Sequence, residues 1–371
     1  MELYIHIPFC ARKCAYCDFL SFADRMNLRD AYGEALLRDL SAYAAGCDGK
    51  PHVETVFIGG GTPSLMQEGF YTKLFAAIRR DYDLAENAEI TIECNPGTVT
   101  PEKLSEYRAA GINRISFGAQ SADDKELALL GRIHVWSEVE ASVRMAREAG
   151  FDNVSIDLMM NLPGQTCDGF ARTLERAIAL APEHISAYSL IVEPGTAFYE
   201  RYAEHPELLP SDEEASRTYE TAVKLLAKAG YEQYEISNFA KEGFACRHNI
   251  GYWRRAEYLG VGIGAASLIG DRRFSVSRDI TAYLEKLTYV DEEVLSKADQ
   301  RNETVMLGLR MNEGIDLVGF REKYGDEAAE ELLSKAQKYV SAGLANVSGD
   351  RLALTVRGML VSNAILADLI E

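Results

Sequence analysis

Over its first 230 residues the chain switches about six times between two hydrophobic periods. Apolar runs at 3–7, 53–58, 89–92, 112–117, 154–159 and 185–192 have the length of strands, and the stretches between them carry apolar residues at helical spacing. Residues 28–45 show it well, with Leu28, Ala31, Tyr32, Ala35, Leu36 and Tyr43 on one face. Further helices are expected at 67–80 and 169–180. Ala110-Gly111, Ala149-Gly150 and Ala229-Gly230 each precede a strand, where glycine suits a left-handed helix stop. Thr100 ahead of Pro101 reads as a helix start. Ser137 with Glu140, and Ser211 with Glu214, read as capping boxes. Strand and helix in alternation make a parallel sheet with crossover helices. Six units fall short of a closed eight-fold barrel, so the predicted class is α/β, a partial (β/α)6 TIM-like barrel over residues 1–230. A doubly wound sheet is the alternative.

Beyond residue 230 the texture changes. Short strands at 234–236, 258–263 and 273–276 predict a sheet extension over 231–290. Residues 291–371 read as a small helical domain, with helices near 302–311, 317–324 and 327–342 and a last one after Thr355. A hairpin around Ser348-Gly349-Asp350 gives it a winged-helix-like order, and a lid or docking surface is the expected role.

A net charge of −18 argues against a nucleic-acid binder, which would carry a basic surface. No basic leader opens the chain, and no apolar run approaches the roughly 20 residues of a membrane helix. Peripheral contact with a membrane stays open. Seven cysteines, an odd number, argue against a disulfide framework and fit a reducing, cytoplasmic setting.

The first strand ends at Pro8, which has no N–H for a ladder. The loop after it brings Cys10, Cys14 and Cys17 within eight residues. Three soft thiolates can surround one metal site. Structural zinc needs four closed ligands, and the next candidate is Cys47. An iron–sulfur cluster with one open iron needs only three. Cys47, Cys94, Cys167 and Cys246 read as buried or incidental thiols. In α/β barrels chemistry gathers at the carboxyl ends of the strands. There the second strand runs into Gly59-Gly60-Gly61-Thr62, where missing side chains let a ligand carboxylate approach backbone N–H groups. The third strand yields Glu93, the fourth Gln120 and the fifth Asp157, with Arg132 one helix later. Each alone has a bland explanation as a cap or a surface ion pair. Around one rim with three thiolates they suggest a polar ligand site.

Cys10-x-x-x-Cys14-x-x-Cys17, with Tyr16 before the last cysteine, resembles the signature of the radical S-adenosylmethionine superfamily. Gly59-Gly60-Gly61-Thr62-Pro63 is similar to its second element. HIPFC, SFGAQS, SIDLM and LPGQT extend the resemblance to the group holding oxygen-independent coproporphyrinogen III oxidase and the HemW heme chaperones. The resemblance implies a [4Fe-4S] cluster on Cys10, Cys14 and Cys17, with S-adenosylmethionine chelating its open iron. It also implies that Tyr4, Tyr16, Gly60, Gly61, Thr62, Glu93, Gln120, Arg132, Asp157 and Ile191 line the S-adenosylmethionine site.

Two features bear on the branch. The oxidase carries a further cysteine two positions after the third cluster cysteine, where this chain has Phe19. Arg247-His248-Asn249-Ile250-Gly251-Tyr252-Trp253 resembles the HemW motif HNxxYW. Histidine is a common heme ligand, so His248 is the candidate heme residue, against a bland reading of His248 as a turn cap and Trp253 as core. The favoured expectation is a heme chaperone that binds heme and delivers it to an apo-hemoprotein. The alternative is oxidative decarboxylation of a porphyrinogen.

Overall fold

The computed structural model describes residues 1–370. The barrel half runs β1 (Glu2–Ile7), α1 (Arg29–Ala45), β2 (His52–Gly60), α2 (Phe70–Asp81), β3 (Asp83–Cys94), α3 (Pro101–Ala110), β4 (Arg114–Gln120), α4 (Asp124–Leu129), α5 (Trp136–Glu148), β5 (Asn153–Met160), α6 (Cys167–Ala179) and β6 (His184–Ser189). Next come α7 (Ala197–Tyr202), α8 (Asp212–Lys228), β7 (Glu232–Glu235), β8 (Asn238–Ala240), α9 (Arg247–Trp253), β9 (Tyr258–Val261), β10 (Ala266–Ile269), β11 (Arg272–Val276), α10 (Ile280–Glu285) and β12 (Tyr289–Val294). The C-terminal part holds α11 (Lys297–Gly308), β13 (Ile315–Asp316), α12 (Leu317–Tyr324), α13 (Asp326–Ser341), β14 (Ala345–Ser348), β15 (Arg351–Leu354), α14 (Val356–Leu360) and α15 (Ser362–Leu369).

Strands β1 to β6 pair in parallel and in chain order, the six-unit open barrel expected from the alternation. The extension falls on both edges rather than one. β9 pairs in parallel with β1 and leads to the antiparallel β10, β11 and β12, while the β7–β8 hairpin closes against β6. A separate sheet in the order β13-β15-β14 lies among the C-terminal helices.

Side chains alternate across each strand with period two. Leu3, Ile5, Ile7, Val56, Ile58, Ile115, Phe117, Ile156 and Leu158 are fully buried on one face of the sheet. Burying each contributes roughly 1.5–3 kcal/mol. The other face is polar and equally buried: Glu2 and His6 on β1, Thr55 on β2, Glu89 and Thr91 on β3, Arg114 and Ser116 on β4, Ser155 on β5, and His184 and Ser186 on β6. A polar interior is costly unless it is hydrogen-bonded, and its networks are described below.

Several local expectations shift. Helix α5 begins at Trp136, one residue before Ser137, because the Trp136 N–H finds Asp124 Oδ1 at 2.9 Å and Glu138 reaches back to the Val135 N–H at 3.0 Å. Glu140 accepts from the Trp136 indole instead of boxing a cap. At α8, Ser211 accepts from the Glu214 N–H, but the Glu214 side chain turns to the Cys167 N–H. Strand β6 stops at Ser189, so Ile191 lies beyond it. Helix α11 starts at Lys297, boxed by Ser296 and Asp299. Helices α4 and α7 were not expected.

Candidate functional site

The loop after β1 returns on itself. The Phe22 N–H donates to Pro8 O and the Cys10 N–H to Phe22 O, so the cysteine segment is held at its root. Its middle is held from two sides: the Ala15 N–H donates to Leu130 O, and the Phe198 N–H of α7 donates to Ala15 O at 2.9 Å. Tyr16 packs against Phe198 within a small apolar cluster of Leu130, Met159, Leu162 and Tyr202. Cys10, Cys14 and Cys17 are free, partly exposed thiols.

These cysteines rim a cavity of about 310 Å³ at the carboxyl end of the barrel. Tyr16, Gly60, Gly61, Thr62, Glu93, Gln120, Arg132 and Asp157 all line it, together with Asn95, Met159 and Tyr188. Gln120 reaches it through a register shift between β4 and β5 after Phe117 and a left-handed backbone at φ 67°. The rim is cross-tied. Arg132 donates to Asn95 Oδ1 at 2.7 Å and to Gly118 O at 2.6 Å, and its other nitrogen lies 3.6 Å from Cys14 Sγ. Asn95 Nδ2 donates to Thr62 Oγ1, whose hydroxyl points at Cys10 Sγ, 3.7 Å away. The Cys10 and Cys14 sulfurs thus each face a side-chain hydrogen-bond donor.

Beneath them sit two carboxyls. Asp157 accepts from Ser116 Oγ, 3.0 Å from both its oxygens, and burial raises its pKa. Glu93 accepts the Gly60 N–H at 3.2 Å, and burial with the Asp157 charge nearby lifts it to about 7. Burial likewise raises the Tyr16 phenol and the Cys17 thiol.

Two N–H groups of the glycine run that the sequence suggested were open to a ligand are already taken. The Gly60 N–H is taken by Glu93 and the Gly61 N–H by Ile7 O at 2.7 Å. Its glycines answer to crowding: a Cβ on Gly60, which has φ 111°, would stand 2.6 Å from the His6 ring, and one on Gly61 would stand 2.7 Å from Phe9 O.

Three residues expected at the site lie elsewhere. Tyr4 is one layer deeper. Its hydroxyl donates to His6 Nδ1, since His6 Nε2 is committed as donor to Leu20 O. Ile191 is 67% exposed past the end of β6 and does not line the cavity. His248 is at the opposite end of the barrel and only 1% exposed. Helix α9 plugs that end. Glu89 on β3 accepts the Arg247 N–H at 3.1 Å and the His248 N–H at 3.2 Å, and the Cys246 thiol lies 3.4 Å from the same carboxylate. His248 Nδ1 hydrogen-bonds Thr55 Oγ1 at 2.8 Å, its ring stacks on Phe57, and its Nε2 finds no partner among the described residues. Burial lowers its pKa to about 3. A side chain on Gly251 would collide with the Glu2 carboxyl. So most of the HNxxYW-like motif has a packing role in the plug.

Asn95, Tyr188, His6 and Phe198 were missed. Asn95 was within reach, because it stands at a strand end like Glu93, but Asn-Pro reads locally as a turn.

A radical SAM superfamily model matches residues 4–177, and a HemN C-terminal domain model matches residues 295–361. The heme chaperone HemW of Bacillus subtilis is 37% identical over 368 residues, which cover 98% of this chain and 97% of the relative. The heme chaperone HemW of Haemophilus influenzae is 37% identical over 99% of this chain and 97% of its own length. The chain belongs to the HemW family. Among solved structures, Escherichia coli coproporphyrinogen III oxidase (HemN), described as a radical SAM enzyme, superposes with a TM-score of 0.84 at 25% identity, covering 100% of this chain and 89% of that one.

Membership of the radical SAM superfamily implies an iron–sulfur cluster and S-adenosylmethionine. In this HemW-family chain the residues present fit both. The free thiols of one loop, with donors aimed at two sulfurs, suit thiolates that share charge with iron. Among the described residues no three His, Cys, Asp or Glu side chains converge on a single ion. The cavity behind the loop supplies acids, an amide and a guanidinium for a zwitterionic ligand. Among the described residues no helix is long and apolar enough to cross a membrane.

Proposed function

We propose that this chain is a heme chaperone on a radical SAM core. It holds a [4Fe-4S] cluster on Cys10, Cys14 and Cys17 and S-adenosylmethionine in the adjoining cavity, and it carries heme as cargo for an apo-hemoprotein. When bound, the cluster offers an open iron to the amino and carboxylate groups of S-adenosylmethionine and an electron to its sulfonium. The protein's share is positioning and water exclusion. Arg132 and Asn95 steady the cysteine loop against the second-strand turn. Glu93 and Asp157 accept from amino or ribose hydroxyl groups, Gln120 supplies an amide at the rim, and Tyr16 closes the side under the loop. Gly60, Gly61 and Thr62 form the close-packed wall. Tyr4 supports that wall from below through His6, and Ile191 is exposed past the end of β6.

The observation that carries the chaperone reading over porphyrinogen decarboxylation is Phe19. It lines the cavity rim, 64% exposed, where the oxidase has a thiol, and it accompanies near-full-length similarity to proteins named heme chaperones. The test is paired. Anaerobically reconstituted protein incubated with coproporphyrinogen III and reductant should yield no vinyl products beside an active oxidase control, while heme titration should give a saturable Soret band. Vinyl products would overturn the reading.

A further inference from the structure

A second cavity of about 310 Å³ lies away from the cysteine loop, where the end of α9 meets α11 and α12. It shares no lining residue with the first. Its apolar wall includes Trp253, Met311, Phe320 and Tyr324. One face of Trp253 is already covered by the Arg310 guanidinium, 4.3 Å from the ring centroid, and Arg310 is anchored to Glu235. Aromatic and thioether surfaces of this kind suit a flat apolar body.

The rim is cationic in a chain of net charge −18. Exposed Arg254, Lys323 and Arg351 all line it. Glu313 faces both guanidiniums, at 2.9 Å from Arg254 and 4.0 Å from Arg351. Asp316 is engaged as the cap of α12, accepting the Val318 N–H. Among the described residues no carboxylate lies within ion-pair distance of Lys323. An apolar wall with surplus positive charge at its edge matches a planar molecule bearing carboxylates on one side.

We propose that this cleft, and not His248, receives the cargo: a planar, dianionic tetrapyrrole seated against Trp253 and Phe320 with its carboxylates toward Lys323 and Arg351. This rests on the heme-chaperone reading. It gives the HNxxYW-like motif two parts, His248 holding the barrel plug and Trp253 facing the ligand. It also places cargo and S-adenosylmethionine at separate sites.

The test is heme titration, followed at the Soret band, of three full-length proteins: wild type, Lys323→Glu/Arg351→Glu, and His248→Gln. The reversed charges are on exposed side chains, and matched unfolding midpoints control for folding. The charge-reversed protein should bind about tenfold more weakly, roughly 1.4 kcal/mol, with the deficit shrinking at high salt. The His248→Gln variant should bind like wild type. Wild-type affinity in the charge-reversed protein would overturn the cleft and leave the chaperone reading standing. Binding lost only in the His248→Gln variant would overturn the cleft and move the cargo to the plug histidine. No Soret change in wild type would overturn the chaperone reading itself.

Discussion

Replacing Glu89 with Ala should loosen the barrel plug, and the size of the loss follows from what that carboxylate touches. It accepts the Arg247 and His248 N–H groups at 3.1 and 3.2 Å, the first donors of α9, and has the Cys246 thiol at 3.4 Å. Hydrogen bonds to a charged group are worth about 1.5–3 kcal/mol each. Glu89 is also a counter-charge for Arg114, which is 2% exposed with no hydrogen bond to its Nε. Asp157 also faces Arg114, so the added loss stays below the roughly 3–5 kcal/mol of a fully unpaired buried charge. These contributions overlap, so the expected loss is about 3–5 kcal/mol for Glu89→Ala and about 2–3 kcal/mol for Glu89→Gln, which keeps one acceptor. Urea unfolding of the metal-free chain, followed by tryptophan fluorescence, measures it, because Trp253 ends α9. A midpoint within about 0.5 kcal/mol of wild type, the range of ordinary surface substitutions, would refute the idea that Glu89 holds the plug.

Glu2 tests the same region through pH. Burial lifts its pKa from 4.5 to about 8, so the folded chain keeps a proton that the unfolded chain loses, and stability falls as pH rises from about 4.5 to 8. Glu2→Gln should match wild type near pH 4.5 and become more stable than it toward pH 8, as read from unfolding midpoints; parallel pH profiles would contradict this. Glu93, lifted to about 7, should make S-adenosylmethionine binding tighten as pH rises through neutrality, because the ionised carboxyl favours an amino group. Calorimetric titration should show that slope in wild type and lose it in Glu93→Gln. Phe198→Ala removes the ring beneath Tyr16 and should cost about 3–5 kcal/mol locally. Iron should then leak from the reconstituted protein faster on dilution with chelator, under conditions where both proteins stay folded; equal retention would refute the clamp.

The barrel was legible because its signals are local: apolar runs of strand length, Ala-Gly stops and a Thr-Pro helix start. Glu93, Gln120, Arg132 and Asp157 were legible because strand ends converge by topology, whatever the packing between them. The plug was not. His248 meets Thr55 across 193 residues, and Glu89 meets the Arg247 N–H across 158, so no window around the motif shows that His248 is buried. Parallel pairing of β9 with β1 is equally non-local. Helix α7 is six residues long, too short for its periodicity to stand out, yet it carries Phe198. The Gly60 and Gly61 N–H groups were read as open to a ligand because the partners that take them, Glu93 and Ile7, are distant in sequence.

The most direct measurement is heme loading and release by the anaerobically reconstituted protein. Iron and sulfide analysis should first show a [4Fe-4S] cluster. Heme added to that protein should then form a stable Soret-absorbing complex that decays on mixing with an apo-hemoprotein, as the acceptor's own band grows in. A chain that neither retains heme nor yields it to an acceptor would contradict a heme chaperone on a radical SAM core.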